Sequence, residues 1–161
     1  SLEELLQVVN QVGLDVIQLH GAESPHYVSQ LSRQTDCKII KALFAEKEPG
    51  MALADTYHVN GFLVECGYGP LPGGNAMAWD WSAARSFAQQ HPLILAGGLG
   101  PETVEEAITA SLPDAVDASS ALETRPGRKD LSKVKHFIQA VRDSAGHYAS
   151  INRRIRPIFT S

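Results

Sequence analysis

Two periodicities alternate along this chain. Over residues 1–13, "SLEELLQVVNQVG", the apolar residues Leu5, Val8, Val9 and Val12 recur at i, i+3, i+4 and i+7, the spacing of one helix face. Ser1 is placed to cap that helix, with Glu4 at N3 completing a capping box. The run "LDVIQLHG", 14–21, then predicts a short strand ending in a polar, Gly-terminated loop. Ser24 followed by Pro25 is a helix start, and that helix is expected to reach about Arg33. The same exchange of periods continues to the end of the domain. Strands are expected at 37–44, 61–66, 92–96 and 114–118. A short helix is expected near 49–57, and helices at 81–90, 101–111 and from Asp130 to about Ser144. The last has Leu131, Val134, Ile138 and Val141 on one face.

The strands are short and apolar without strict alternation, and each is followed by a helix. That pattern belongs to a parallel sheet covered by helices. The units repeat every 25–30 residues or so, the rhythm of a βα barrel, but a complete eight-strand barrel rarely has fewer than ~200 residues. With 161 residues the expected fold is α/β, an incomplete TIM-type (βα)8 barrel of about five parallel strands. It occupies residues 1–144, with a basic C-terminal extension over 145–161. The extension carries Arg153, Arg154 and Arg156 and reads as a solvated segment whose Ile155, Ile158 and Phe159 pack on a neighbour, or as a basic anchor for an anionic partner. The chain begins at Ser1 inside a helical pattern, as either a mature domain or a fragment can.

Composition narrows the function classes. Fourteen Lys and Arg against eighteen Asp and Glu give a net charge of −4, which argues against nucleic acid and anionic membrane as partners. Two cysteines, Cys37 and Cys66, suggest no disulfide framework. No apolar run is long enough to span a bilayer, no signal peptide is visible, and the expected compartment is the cytoplasm.

In parallel βα proteins the loops after the strands carry the chemistry. The polar or small residues there are Gln18, His20, Gly21, Lys41, Glu65, Gly97, Gly98, Asp117, Ser119, Ser120 and Glu123. The six histidines show no pair at metal-ligand spacing with a helper acid, so no metal is expected. "AGGLGPE", 96–102, lets backbone approach a ligand and places free N–H groups at a helix start, which suits phosphate. A tight turn with a helix cap accounts for it equally. "DASSALE", 117–123, adds donors one unit later, and two donor-rich loops on the last two strands match the phosphate site common in βα barrels. Lys41 and Glu65 interrupt apolar strands, so each must be paired or face a polar cavity. Glu65 at a strand end suits a general acid; His20 suits an anionic substrate or a structural role.

"DVIQLHG" (15–21), "KALF" (41–44), "GG…DW" (73–81), "ILAGGLGPETVEEA" (94–107) and "VDASSALETRPGRKD" (116–130) together resemble the phosphoribosylanthranilate isomerases of tryptophan biosynthesis. The resemblance covers residues 1 to about 143. It implies a (βα)8 barrel of which this chain holds strands four to eight, the first three being absent. It also implies an Amadori rearrangement of N-(5′-phosphoribosyl)anthranilate to 1-(2-carboxyphenylamino)-1-deoxyribulose 5-phosphate with no cofactor. In that reaction an acid protonates the ribose ring oxygen, and a base removes the C2′ proton to give an enolamine that tautomerises to the ketone.

By this resemblance Glu65 stands where the family has an aspartate as general acid, and Asp117 matches the acid of the eighth strand. Gly97 and Gly98 match the phosphate-binding pair of the seventh strand. Ser119 and Ser120 match the phosphate loop after the eighth, with Ala121 where glycine is usual. Gln18 and His20 match the fourth-strand motif facing the substrate. Gly73, Gly74, Asn75 and Ala76 stand for a GGxG loop. The family's base is a cysteine of the first strand, which neither Cys37 nor Cys66 matches. Self-association, or an N-terminal segment, would complete the barrel. The alternative is an inactive remnant that binds a sugar phosphate or acts only through protein association. An indoleglycerol-phosphate enzyme would need lysines and glutamates at several strand ends, and Lys41 alone does not make that set.

Overall fold

A computed structural model gives the fold, and it describes residues 1–68, 78–144, 146, 148, 151 and 153–159. The chain runs α1 (Leu2–Val12), β1 (Val16–Leu19), α2 (Pro25–Ser32), β2 (Lys38–Phe44), β3 (Gly61–Glu65), α3 (Arg85–Gln90), β4 (Leu93–Leu95), α4 (Val104–Ser111), β5 (Ala115–Val116), the hairpin β6–β7 (Glu123–Arg125 and Arg128–Lys129) and α5 (Leu131–Asp143). The capping box forms as its spacing requires: the Ser1 hydroxyl accepts from Glu4 N, and the Glu4 carboxylate closes back on the N-terminus. The Ser24 hydroxyl likewise accepts from Tyr27 N, with Pro25 at the first helical position.

β1 to β5 form one parallel sheet in sequential order. That order decides where the helices go. Parallel crossovers are almost always right-handed, so a sheet that never reverses its strand order collects every helix on one face. The side chains confirm it. Ile17, Leu19, Ile39, Leu43, Phe62, Val64, Leu93 and Leu95 pack with helix residues such as Val28, Leu31, Phe87, Val104, Ile108 and Phe137 in the main core. The alternate positions Ile40, Ala42, Leu63, Ile94 and Ala96 form a second, separate cluster that, among the described residues, includes no helix residue. Both faces of the strands are therefore apolar, which is why their sequences show no clean alternation.

Several expectations shift in detail. Residues 51–56 and 81–84 wind as 3₁₀ turns, the second leading into α3. α4 starts at Val104, because Gly100 to Thr103 form a turn closed by the Thr103 hydroxyl. β5 has two residues and, among the described residues, pairs only with β4. The β6–β7 hairpin was not expected. Its turn is Pro126–Gly127, with Gly127 at φ 78°, a Pro-Gly pair that turn chemistry favours. The tail departs furthest from a solvated segment. Ile158 is buried at 4% exposure in the second cluster, and Arg156 is paired with buried Asp114.

Lys41 is 0% exposed. It lies on the helix-covered face, where its ammonium donates to the carbonyls of Leu19, Gly21 and Ala42 and meets Glu23 Oε2 at 3.1 Å. A buried ammonium is tolerated only when so fully satisfied, and Lys41 is structural.

Candidate functional site

Side chains alternate along each strand, so the face occupied by Ile40, Leu63, Ile94 and Ala115 also receives Gln18, His20, Phe44, Glu65 and Asp117. The register carries this to one end of the sheet. Phe44 is opposite Glu65, and Val64 is opposite Leu95, which is in turn opposite Val116. Gln18, His20, Glu65 and Asp117, drawn from three strands, thus gather at the C-terminal ends of β1, β3 and β5 on the helix-free face.

Glu65 Oε1 is 3.2 Å from His20 Nε2, and Gln18 Nε2 is 3.2 Å from His20 Nδ1. With the Gln18 amide donating to Nδ1, the Nε2–H of His20 is directed at Glu65. The His20 ring also packs edge-on to Phe44, centroids 5.8 Å apart. Glu65 retains 10% of its side-chain exposure and His20 23%, so the pair is sheltered yet open to a ligand. Asp117 lies at the open edge. Desolvation by the surrounding protein pushes its carboxyl above the usual aspartate range, and the neighbouring Glu65 carboxyl adds to this, while His20 and Lys129 oppose it.

The two loops after β4 and β5 are built for close approach. Gly97 and Gly98 have φ of 85° and 73°, and a Cβ on Gly98 would lie 2.5 Å from the Ala78 Cα. The indoles of Trp79 and Trp81 donate to the carbonyls of Ala96 and Gly97 and hold this turn. The Thr103 hydroxyl accepts from Gly100 N and donates to Gly98 O. A Cβ on Gly100 would come within 3.1 Å of the Ala121 Cβ, so this turn abuts the Ser119–Leu122 turn that follows β5. Lys129, from the unexpected hairpin, donates to Ser119 O at 3.0 Å and Ser119 Oγ at 3.1 Å and pairs with Glu123 at 2.8 Å. That pairing lowers the Glu123 pKa.

Lys129 is the member of this loop cluster that the sequence reading passed over. Its signal was the Pro126–Gly127 turn, which folds residue 129 back onto residue 119. Gly73, Gly74, Asn75 and Ala76 lie outside the described residues. Neither thiol joins the polar end: Cys37 Sγ is 2.8 Å from Leu14 O at the opposite end of the sheet, and Cys66 is buried in the main core. Among the described residues no group of three or more His, Cys, Asp or Glu could hold a metal ion, and no helix is long and apolar enough to cross a membrane.

Comparison with known proteins gives one consistent result. The sequence family described as N-(5′-phosphoribosyl)anthranilate (PRA) isomerase matches residues 1–140. A relative of that name from Desulfatibacillum aliphaticivorans is 44% identical over 139 residues, 86% of this chain and 63% of the relative. One from Syntrophus aciditrophicus is 35% identical over 157 residues, 98% of this chain and 67% of the relative. The chain thus spans about two thirds of the length of the proteins it resembles. Among solved structures, the phosphoribosyl anthranilate isomerase of Thermotoga maritima superposes with a TM-score of 0.75 at 31% identity, covering 88% of this chain and 68% of that one. A phosphoribosyl anthranilate isomerase in complex with reduced 1-(o-carboxyphenylamino)-1-deoxyribulose 5-phosphate gives 0.70 at 31% identity, covering 88% of this chain and 66% of that one.

Proposed function

The chain belongs to the N-(5′-phosphoribosyl)anthranilate isomerase family, and we propose that it supplies the phosphate-binding and proton-donating end of that family's isomerisation. Its five strands correspond on this reading to the last five of an eight-strand barrel, working in the cytoplasm. Residues beyond this sequence, or a second copy, would contribute the rest of the site.

The observation that carries the proposal is the abutment of the Gly97–Gly100 and Ser119–Leu122 turns, with the Lys129 ammonium fixed on Ser119. A phosphoryl group seated there would take donors from both turns, with a nearby cation to balance its charge. The ribose would then extend toward Glu65, Asp117 and His20. Gln18 orients the His20 ring, and His20 donates to Oε1 of Glu65, which leaves Oε2 to carry a proton. Glu65 delivers that proton to the ribose ring oxygen as the C1′–O bond breaks, and the anthranilate nitrogen takes up the positive charge as an iminium. Removal of the C2′ proton by a base then gives the enolamine, which tautomerises to the ketone. Asp117 supports the ribose hydroxyls.

The positions of Cys37 and Cys66, one at the far end and one in the core, favour a second reading. In that reading the chain binds the sugar phosphate and does not turn it over, because no thiol stands ready as base.

Titration with ribose 5-phosphate followed by ³¹P NMR tests the binding both readings share; absence of saturable binding overturns both. Complementation of a strain lacking this isomerase separates them. Growth that is lost on Glu65→Ala establishes catalysis, and no growth from soluble, ligand-binding protein establishes the binder.

A further inference from the structure

Past the last residue of β2 the chain keeps its place beside β3. Ala45 N donates to Glu65 O at 2.9 Å and Glu46 N to Cys66 O at 3.2 Å. Lys47 therefore stands next to Gly67, at the same end of the sheet as His20 and Glu65. Its stem is confined there. A Cβ on Gly67, whose φ is 96°, would lie 2.9 Å from both Lys47 Cγ and Phe44 Cβ. Its ammonium rests on the Phe44 ring, 4.2 Å from the centroid, and the same ring packs edge-on to His20. Glu46 and Glu48 flank Lys47 in sequence, but Glu48 Oε2 accepts from Gly50 N at 2.9 Å. Among the described residues no carboxylate comes within ion-pair distance of Lys47.

An ammonium has three N–H donors and no acceptor. One held on an aromatic ring, with no carboxylate of its own chain against it, is available to an anion from outside. Its place along the sheet says which anion. The strands run in order from β1 to β5. On the sugar-phosphate reading, the phosphoryl group sits at the loops after β4 and β5 beside Lys129, and the proton donor Glu65 ends β3. N-(5′-phosphoribosyl)anthranilate carries a second anion, the carboxylate of its aromatic ring, beyond C1′ from the phosphate. With the ribose ring oxygen at Glu65, that end of the substrate continues along the sheet toward β2. We propose that the Lys47 ammonium binds the carboxylate of the arylamine and so determines specificity for an acidic arylamine over a neutral one. Lys129 and Lys47 then hold the two charged ends of the substrate, with Glu65 and His20 between them. Because Gly67 and Phe44 already confine the Lys47 side chain, little of its freedom is lost on pairing. This inference rests on the sugar-phosphate reading, and the test separates the two.

The probes are reduced 1-(o-carboxyphenylamino)-1-deoxyribulose 5-phosphate, the same compound without its carboxylate, and ribose 5-phosphate. Each is titrated calorimetrically into the full chain, into Lys47→Gln and into Lys47→Arg. A single exposed ion pair contributes modestly, so the wild-type chain should prefer the carboxylated probe over its neutral counterpart by about fivefold. Lys47→Gln should lose that preference and Lys47→Arg should keep it, with ribose 5-phosphate affinity in both within about a factor of two of wild type. No preference in the wild-type chain, or a preference that survives in Lys47→Gln, overturns the proposal and leaves the phosphate seat standing. Failure of the wild-type chain to bind any of the probes overturns the sugar-phosphate reading, and this proposal with it.

Discussion

His20 and Glu65 join β1 to β3 across the intervening β2, with Nε2 and Oε1 3.2 Å apart. Two strands that share no ladder are thereby tied at their C-terminal ends, directly beside the Phe44 ring. If Glu65 is the acid, Glu65→Gln keeps an acceptor for His20 and removes the transferable proton. Isomerase activity, assayed with the rest of the site present, should fall by ~10²-fold or more. Ribose 5-phosphate affinity should stay within a factor of about two.

Lys129 should report on phosphate. Lys129→Ala removes the cation on Ser119 and should weaken ribose 5-phosphate binding by roughly 3- to 10-fold, with a smaller loss at high salt. Isothermal titration at two ionic strengths checks this. Affinity indifferent to both the mutation and the salt would place the phosphate elsewhere.

Asp117 predicts a pH dependence with a definite sign. Desolvation raises its carboxyl pKa above the ordinary aspartate value of 3.8. The folded state therefore holds this proton more firmly than the unfolded chain. The associated stability is fully present below pH 3.8 and is lost as pH rises through the folded value. Asp117→Asn should melt with the wild type under acid conditions and higher than it at neutral pH. The gain should be small, about 1–3 °C, because the carboxylate is open to solvent. Melting curves across the acid range check it.

Tyr148 gives the alkaline counterpart. Burial raises its pKa to about 12, with Arg153 opposing and Asp114 adding to the shift. Its hydroxyl donates to Pro113 O. The stability tied to this proton is intact below pH 10 and is lost as pH climbs through about 12. An absorbance titration at alkaline pH should show a late tyrosine that disappears in Tyr148→Phe. That variant should also cost about 1–3 kcal/mol in denaturant, since Pro113 O loses its donor.

Two glycines separate backbone strain from collision. Gly13 and Gly98 both have positive φ, but a Cβ meets nothing within 4 Å at Gly13 and meets Ala78 Cα at 2.5 Å at Gly98. Gly13→Ala should cost ~1–2 kcal/mol, the left-handed backbone penalty alone. Gly98→Ala should cost clearly more and should also abolish ribose 5-phosphate binding. Equal losses from both would show that the turn at Gly98 yields to fit a side chain.

Much of this molecule was legible in the sequence because its signals are local. The Ser1–Glu4 box, Ser24–Pro25 and Asp130 mark helix starts through bonds made within three residues. The parallel pairing of the strands followed from the βα rhythm. The polar residues at strand ends could be named because a parallel sheet presents them together. What stayed hidden depends on contacts distant in sequence. Nothing near Arg156 says that its partner is Asp114, forty-two residues earlier, so the tail read as solvated. Lys41 read equally as a pair or a cavity charge, and only the carbonyls of Leu19 and Gly21 decide that.

The cage around Lys41 has a consequence for how the strands align. Shifting β2 by one residue against β1 would turn that ammonium to the opposite face of the sheet and bring an apolar neighbour under the Leu19 and Gly21 carbonyls. An apolar sequence such as "CKIIKALF" would otherwise accept either alignment with little penalty. One buried charge thus acts as a ratchet tooth, and the placement of Phe44 beside His20 and Glu65 is inherited from it.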